Sequence, residues 1–257
     1  MSLVTNRLSP PRARLRRDLA LSLITACAAA ALAGHAVAVG FGLGPAYLAG
    51  TAGAFALIAL LALSGLGGHG HDRWGGANRV TLGRGVLVAL VAGALTVPEP
   101  GTGAQWLLSV IAVTALVLDG VDGWMARRQG LASDYGARFD MELDSLFTLA
   151  MALLLWRWGE VGAWALAAGL LRYLFVAAGR VWPALAAPLP FSQRRRVACA
   201  VSVGVLAAGL TPIVAPPLTG VAVGAALGLL LFSFAVDTVW LVRRSRRSAR
   251  TRNEAQA

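Results

Sequence analysis

Aspartate residues are concentrated in one short segment near the middle of the chain. Asp119, Asp122, Asp140 and Asp144 fall within 26 residues of a 257-residue chain that has 12 acidic residues in all. A helix turns by about 100° per residue, so the first two aspartates share one helix face and the last two share one face of a second helix. We expect the intervening segment 128–135 to form a turn that lets the two faces converge.

Four carboxylates placed close together need cations beside them. Anions about 4–6 Å apart repel strongly in a low dielectric, and a charged side chain at membrane depth costs about 2.5–3.5 kcal/mol. Carboxylate oxygens without sulfur or imidazole ligands are typical of Mg²⁺ or Mn²⁺ sites. The spacing therefore predicts that these four aspartates bind one or two divalent ions.

The residues between the aspartates suit a phosphate ligand. Gly123, Ala126 and Gly136 have little or no side chain, so phosphates could approach the helix backbone and the metals closely. Arg127 could donate charge-assisted hydrogen bonds to the same phosphates. The alternative is a structural ion-pair network in which Arg127 and Arg138 pair with the acids.

The composition indicates a chain that lies mostly in lipid. Hydrophobic residues make up 57% of the sequence, and the mean hydropathy is +0.67, which is too apolar for a soluble domain. A net charge of +11 would otherwise raise nucleic acid as a partner. The arginines instead flank the apolar runs and occupy alternate loops, so we expect no nucleic-acid partner and attribute the charge to membrane topology.

The predicted fold is all-α, a polytopic helical membrane protein. A bilayer core about 30 Å thick needs about 20 apolar residues per helix. Eight spans satisfy this pattern, near residues 18–38, 46–67, 82–98, 104–120, 140–157, 160–180, 196–214 and 218–242. Arginines in alternate loops place both termini and the acidic segment on the cytoplasmic side, as expected for a bacterial-type plasma membrane. The alternative for the first span is a cleavable signal peptide ending at Ala36-Val37-Ala38.

The acidic segment also resembles the signature of a known family. The pattern Asp119-x-x-Asp122-Gly123-x-x-Ala126-Arg127, followed after eight residues by Gly136-x-x-x-Asp140-x-x-x-Asp144, is similar to that of the CDP-alcohol phosphotransferases. Upstream, Asn78-x-x-Thr81-x-x-Arg84 resembles the start of the first core helix of that family, although Ala77 stands where proline is common. The resemblance covers residues 72–243.

The resemblance implies a phospholipid-synthesising transferase. It would move a phosphatidyl group from a CDP-alcohol, usually CDP-diacylglycerol, to a second alcohol and release CMP. By similarity, Asp119, Asp122 and Asp140 bind the metals, and Asp144 is the general base and an additional ligand. The implied CDP-binding residues are Asn78, Thr81, Gly123, Ala126, Arg127 and Gly136.

The same resemblance divides the chain. We expect a basic cytoplasmic N-terminus at 1–17, two additional helices at 18–71, a six-helix catalytic core at 72–243 and a basic cytoplasmic tail at 244–257. The two additional helices contain no candidate ligand, so we expect a role in packing or in assembly of a helix-mediated homodimer. Cys27 and Cys199 lie in apolar runs, which predicts buried thiols and no disulfide.

The acceptor alcohol is less well specified. An arginine within a span either pairs with an acid or faces a polar pocket, and Arg172 and Arg180 lie in the sixth span. With Arg194, Arg195 and Arg196 in the following loop, they could bind an anionic acceptor such as a phosphorylated polyol. The alternative is that these arginines only determine topology.

Two other functions could use the same aspartates. A membrane prenyltransferase also binds a diphosphate through aspartates and Mg²⁺, but its two acidic motifs lie far apart in the chain. A divalent-cation transporter would need acids distributed along a pore, and the remaining membrane acids are sparse, chiefly Asp237.

Overall fold

A computed structural model describes residues 10–64, 74–129, 133–187 and 192–254. Within these ranges the chain forms eight α-helices and no strand, which confirms the all-α prediction. The helices are α1 (Pro10–Phe41), α2 (Gly44–Leu63), α3 (Gly76–Gly93), α4 (Thr102–Gln129), α5 (Asp134–Arg157), α6 (Ala167–Val181), α7 (Gln193–Gly209) and α8 (Pro216–Glu254). Short 3₁₀ turns follow α3 and flank α6.

Six of the described helices are long and apolar enough to cross a membrane, namely α1, α2, α3, α4, α8 and α6 with its preceding 3₁₀ turn. The polytopic membrane prediction is therefore confirmed. Helix α5 is long enough but carries Asp140, Glu142 and Asp144, and α7 has only 17 residues. The count of eight spans stays a prediction.

The chain divides into two compact units, Met1–Asp144 and Ser145–Ala257. In the first unit, α3 packs against α1, α2 and α4. Close approach depends on small residues. A Cβ atom at Gly93 of α3 would lie 2.2 Å from Thr51 Oγ1 of α2, and one at Gly85 would lie 2.9 Å from Ile58 Cγ2. The predicted packing role of the N-terminal helices agrees with these contacts, and the predicted domain boundaries stay predictions.

A buried tyrosine connects the N-terminal pair of helices to α5. The Tyr135 hydroxyl donates a hydrogen bond to the carbonyl oxygen of Ala62 in α2 and accepts one from Trp74 Nε1 at 3.4 Å. Burial raises the pKa of the Tyr135 phenol, and the Trp74 hydrogen bond acts in the opposite direction. Ser133 caps α5, because its Oγ accepts the Gly136 N–H at 3.0 Å. The start of α5 is thus fixed by both local and long-range hydrogen bonds.

In the second unit, α7 packs against α8, and α6 also contacts α8. Helix α5 ends in a Schellman motif at Gly159, whose φ of +76° favours glycine. The Gly159 N–H donates to the carbonyl oxygen of Trp156, and the Glu160 N–H donates to that of Leu155. Contrary to expectation, Cys27 and Cys199 are exposed, although neither forms a disulfide. Both small side chains lie on outer helix faces, where a thiol is as acceptable to lipid as an alanine.

Candidate active site

Arg84 is a buried arginine in the middle of α3. Its side chain is 2% exposed. Its Nε donates to the carbonyl oxygen of Ala115 in α4 at 3.1 Å. Its two terminal nitrogens contact three carboxylates, at 2.9 Å from Asp119, 2.6 Å from Asp140 and 2.5 Å from Asp144. One guanidinium therefore connects α3 to the acidic faces of both α4 and α5.

The three acids in contact with this arginine are partly accessible. One carboxylate oxygen from each of Asp119, Asp140 and Asp144 lies within 4.8 Å of the other two. Their side chains are 37%, 33% and 42% exposed. The predicted convergence of the two helix faces is therefore present for three of the four aspartates. We call Arg84 and these three acids the acid cluster.

Four predicted residues of α4 are only partly described. Asp122, Gly123, Ala126 and Arg127 belong to the continuous helix Thr102–Gln129, but their side chains lie outside the described residues. The prediction that Asp122 shares a helix face with Asp119 therefore stays a prediction.

The donor set of the acid cluster suits a divalent metal. Three carboxylate oxygens within reach of one ion, without sulfur or imidazole, match the preference of Mg²⁺ and Mn²⁺ for hard oxygen ligands. Each carboxylate has two oxygens and can accept from several partners at once. The contacts with Arg84 are therefore compatible with metal ligation by the same side chains.

Asn78 and Gly136, two predicted CDP-binding residues, are neighbours. A Cβ atom added to Gly136 would lie 2.7 Å from Asn78 Oδ1. The Asn78 amide is held in place by a 2.5 Å hydrogen bond from its Nδ2 to the carbonyl oxygen of Trp74. Thr81, one turn further along α3, is buried and donates to the carbonyl oxygen of Ala77. The starts of α3 and α5 thus meet where the resemblance places part of the nucleotide.

Sequence reasoning did not assign a role to Arg84. The signal was present, because Asn78, Thr81 and Arg84 follow at steps of three residues on one helix face, and a lone arginine in an apolar helix needs an acid or a polar pocket. Among the described residues, Asp119, Asp140 and Asp144 pair with Arg84. The ion-pair alternative named Arg127 and Arg138 as the partners, and the side chain of Arg127 lies outside the described residues. Arg138 is exposed and donates to the carbonyl oxygen of Asp134.

The second unit contains a different charge cluster. Asp237 of α8 is buried and contacts Arg194 at 2.5 Å and Arg195 at 3.3 Å, both at the start of α7. Arg194 Nε also donates to Ser233 Oγ at 3.3 Å. We call these four residues the arginine cluster. Two of the predicted acceptor-binding residues are therefore held by one acid.

The other three predicted acceptor-binding residues have different surroundings. Arg196 is exposed at the start of α7. Arg172 and Arg180 belong to α6, where Arg180 is exposed and the Arg172 guanidinium lies 5.8 Å from the ring centroid of Tyr173.

The membrane-length helices and the acid cluster define an integral membrane protein with a polar, acid-rich site. A family model described as CDP-alcohol phosphatidyltransferase matches residues 74–240, close to the predicted 72–243. The chain belongs to this family of phospholipid-synthesising membrane transferases, which transfer a phosphatidyl group from a CDP-alcohol to an alcohol acceptor. No curated protein and no solved structure matches the chain.

Proposed function

We propose that this protein transfers the phosphatidyl group of CDP-diacylglycerol to a phosphorylated or otherwise anionic polyol, in a reaction that requires Mg²⁺ or Mn²⁺ and releases CMP. The observation that carries the proposal is the acid cluster, with three carboxylate oxygens within 4.8 Å of one another inside the segment that matches the family.

The proposed metal ligands are Asp119, Asp122, Asp140 and Asp144. One or two divalent ions held there would neutralise the diphosphate of the donor and stabilise the charge on departing CMP. In the same proposal the CDP moiety lies against Asn78, Thr81, Gly123, Ala126, Arg127 and Gly136. The contact between Asn78 and Gly136 supports this, because it brings two of the proposed residues together at the starts of α3 and α5.

Asp144 is proposed as the general base. The acceptor oxygen forms a new bond to the phosphorus of the phosphatidyl group, the bond from that phosphorus to CMP breaks, and the hydroxyl proton passes to the Asp144 carboxylate. One Asp144 oxygen accepts a hydrogen bond from Arg84. This contact fixes the orientation of the carboxylate. Because an ionised carboxylate has two acceptor oxygens, the other oxygen of Asp144 can accept the proton.

The proposed acceptor site uses Arg172, Arg180, Arg194, Arg195 and Arg196. The arginine cluster supports an anionic acceptor, because it brings two guanidinium groups together around one buried acid, Asp237. The arginine distribution supports a cytoplasmic active site and cytoplasmic termini. The proposed location is a bacterial-type plasma membrane. A homodimer assembled through the membrane helices is also proposed.

The test is an assay with purified protein, CDP-diacylglycerol, Mn²⁺ and a panel of alcohols that includes glycerol 3-phosphate, inositol phosphate and serine. We expect CMP release only in the presence of an anionic polyol, together with a new lipid product. Release of diphosphate from an added prenyl diphosphate, without CMP release from the CDP-lipid, would instead indicate a prenyltransferase. Metal flux into proteoliposomes without CMP release would indicate a cation transporter.

A further inference from the structure

Arg84 contacts the same carboxylates that are proposed to bind metal. We propose that Arg84 is a resident counter-ion of the acid cluster, which stabilises the metal-free protein more than the metal-loaded protein. A divalent ion then binds in competition with Arg84 for the charge of the cluster. The inference rests on the proposed function only in taking Asp119, Asp140 and Asp144 as metal ligands.

The Arg84 side chain is buried and is held against the acids by its surroundings. Its side chain is 2% exposed, and its Nε is held by the carbonyl oxygen of Ala115. Its terminal nitrogens lie 2.5–2.9 Å from the three carboxylates. A buried guanidinium that loses such partners carries a large desolvation cost, so Arg84 stays within the cluster whether or not a metal is bound.

The charges indicate why this contact matters. Three carboxylates and one guanidinium leave two negative charges among these residues, which would balance the positive charge of one divalent ion. Without Arg84, three anions within 4.8 Å would repel one another. With a metal bound, the same guanidinium faces a second cation and its own contribution falls. Arg84 therefore stabilises the metal-free protein most.

The decisive variant is Arg84→Met, which keeps an unbranched apolar stem and removes the guanidinium and its charge. In chelator-treated protein we expect the melting temperature to fall by about 10 °C. Saturating Mn²⁺ should restore most of this loss, so that the metal-induced rise is roughly twice that of the wild type. Mn²⁺ titration followed by electron paramagnetic resonance should give a Kd lowered by about tenfold.

The sign of the Mn²⁺ effect distinguishes the possible roles. A purely structural arginine would lower both melting temperatures equally and leave the Kd unchanged. An arginine needed only to position the ligands would raise the Kd. Either result would overturn the inference.

Two further variants keep the test decisive. Arg79→Met is the matched control, because Arg79 belongs to the same helix but is 57% exposed and lies 3.9 Å from Asp18. It should change neither the Kd nor the metal-induced shift. If Arg84→Met does not fold even with Mn²⁺, the double variant Arg84→Met/Asp119→Asn decides, because removing one anion should restore folding. Failure of the double variant to fold would also contradict the inference.

These measurements follow stability and metal binding, not turnover. An absence of CMP release from the wild type would contradict the proposed function and leave the inference standing. An unchanged Mn²⁺ Kd in Arg84→Met, together with CMP release by the wild type, would contradict the inference and leave the proposed function standing.

Discussion

The acid cluster and the arginine cluster are built from the same two residue types in opposite proportions. One arginine contacts three acids in the first unit, and one acid contacts two arginines in the second. Each minority residue is buried, Arg84 in α3 and Asp237 in α8. A single buried ion thus contacts several ions of the opposite sign in each cluster. In the proposed function, the acid cluster binds a metal cation and the arginine cluster binds an anionic acceptor.

The largest expected effect concerns the proposed base. Asp144→Asn keeps the shape of the side chain but cannot accept the hydroxyl proton, so CMP release should fall by about 10³-fold. Binding of the CDP-lipid should change little. Asp134→Asn is the control, because Asp134 is exposed in the first turn of the same helix. Near-normal turnover in Asp144→Asn would show that another group takes the proton.

The second prediction tests the arginine cluster. Arg194→Met removes a charge-assisted donor, so the KM for an anionic acceptor should rise about tenfold, while the KM for the CDP-lipid stays the same. Arg243→Met is the control, since Arg243 is exposed near the end of α8. If both variants keep the normal acceptor KM, the arginines of α7 serve topology alone.

A third prediction tests the proposed CDP-binding residues Asn78 and Gly136, which belong to neither cluster. Gly136→Ala places a methyl group 2.7 Å from Asn78 Oδ1, so Asn78 must move. We expect the KM for the CDP-lipid to rise roughly fivefold, which corresponds to an overpacking cost of about 1 kcal/mol. Gly120→Ala is the matched control next to Asp119, because no atom outside its own helix lies within 4 Å of the added Cβ. Equal kinetics for the two variants would remove Gly136 from the proposed site.

The smallest expected effect is that of ionic strength. Arg194 and Arg195 are 30% and 28% exposed, whereas Arg84 is 2% exposed. Raising NaCl from about 50 mM to about 500 mM should therefore raise the acceptor KM about twofold to threefold. The melting temperature of chelator-treated protein should respond less, because the buried Arg84 contacts are weakly screened. A melting temperature that falls strongly with salt while the acceptor KM stays constant would show that the acid cluster, and not the arginine cluster, is the more screened of the two.

The parts of the site that follow helical periodicity could be predicted from the sequence. Asp140 and Asp144 share a face of α5, as their spacing indicates, and Asp119 lies on the facing side of α4. The partner of these acids could not be predicted by spacing, because Arg84 lies 35 residues before Asp119 and depends on how α3 packs. The same holds for Asp237, whose two arginines lie in another helix.

Helix limits were predicted less well than helix positions. Helix α1 begins at Pro10, eight residues before the predicted span, and α8 continues to Glu254. Hydropathy marks only the part of a helix that lies in lipid, whereas arginine is a good helix former and extends both helices beyond that part. The helices α1 and α8 are therefore longer than the membrane spans that hydropathy predicts within them.

The hydrogen bonds of the Tyr135 hydroxyl bear on whether the N-terminal helices can be removed from the protein. It joins the first turn of α5 to the end of α2 through Ala62 and to Trp74. A truncated protein that starts at the family core would leave this buried hydroxyl without its acceptor and would uncover the face of α3 against which α2 packs. The N-terminal pair is in this sense a structural part of the catalytic half, and attempts at a minimal enzyme should retain it.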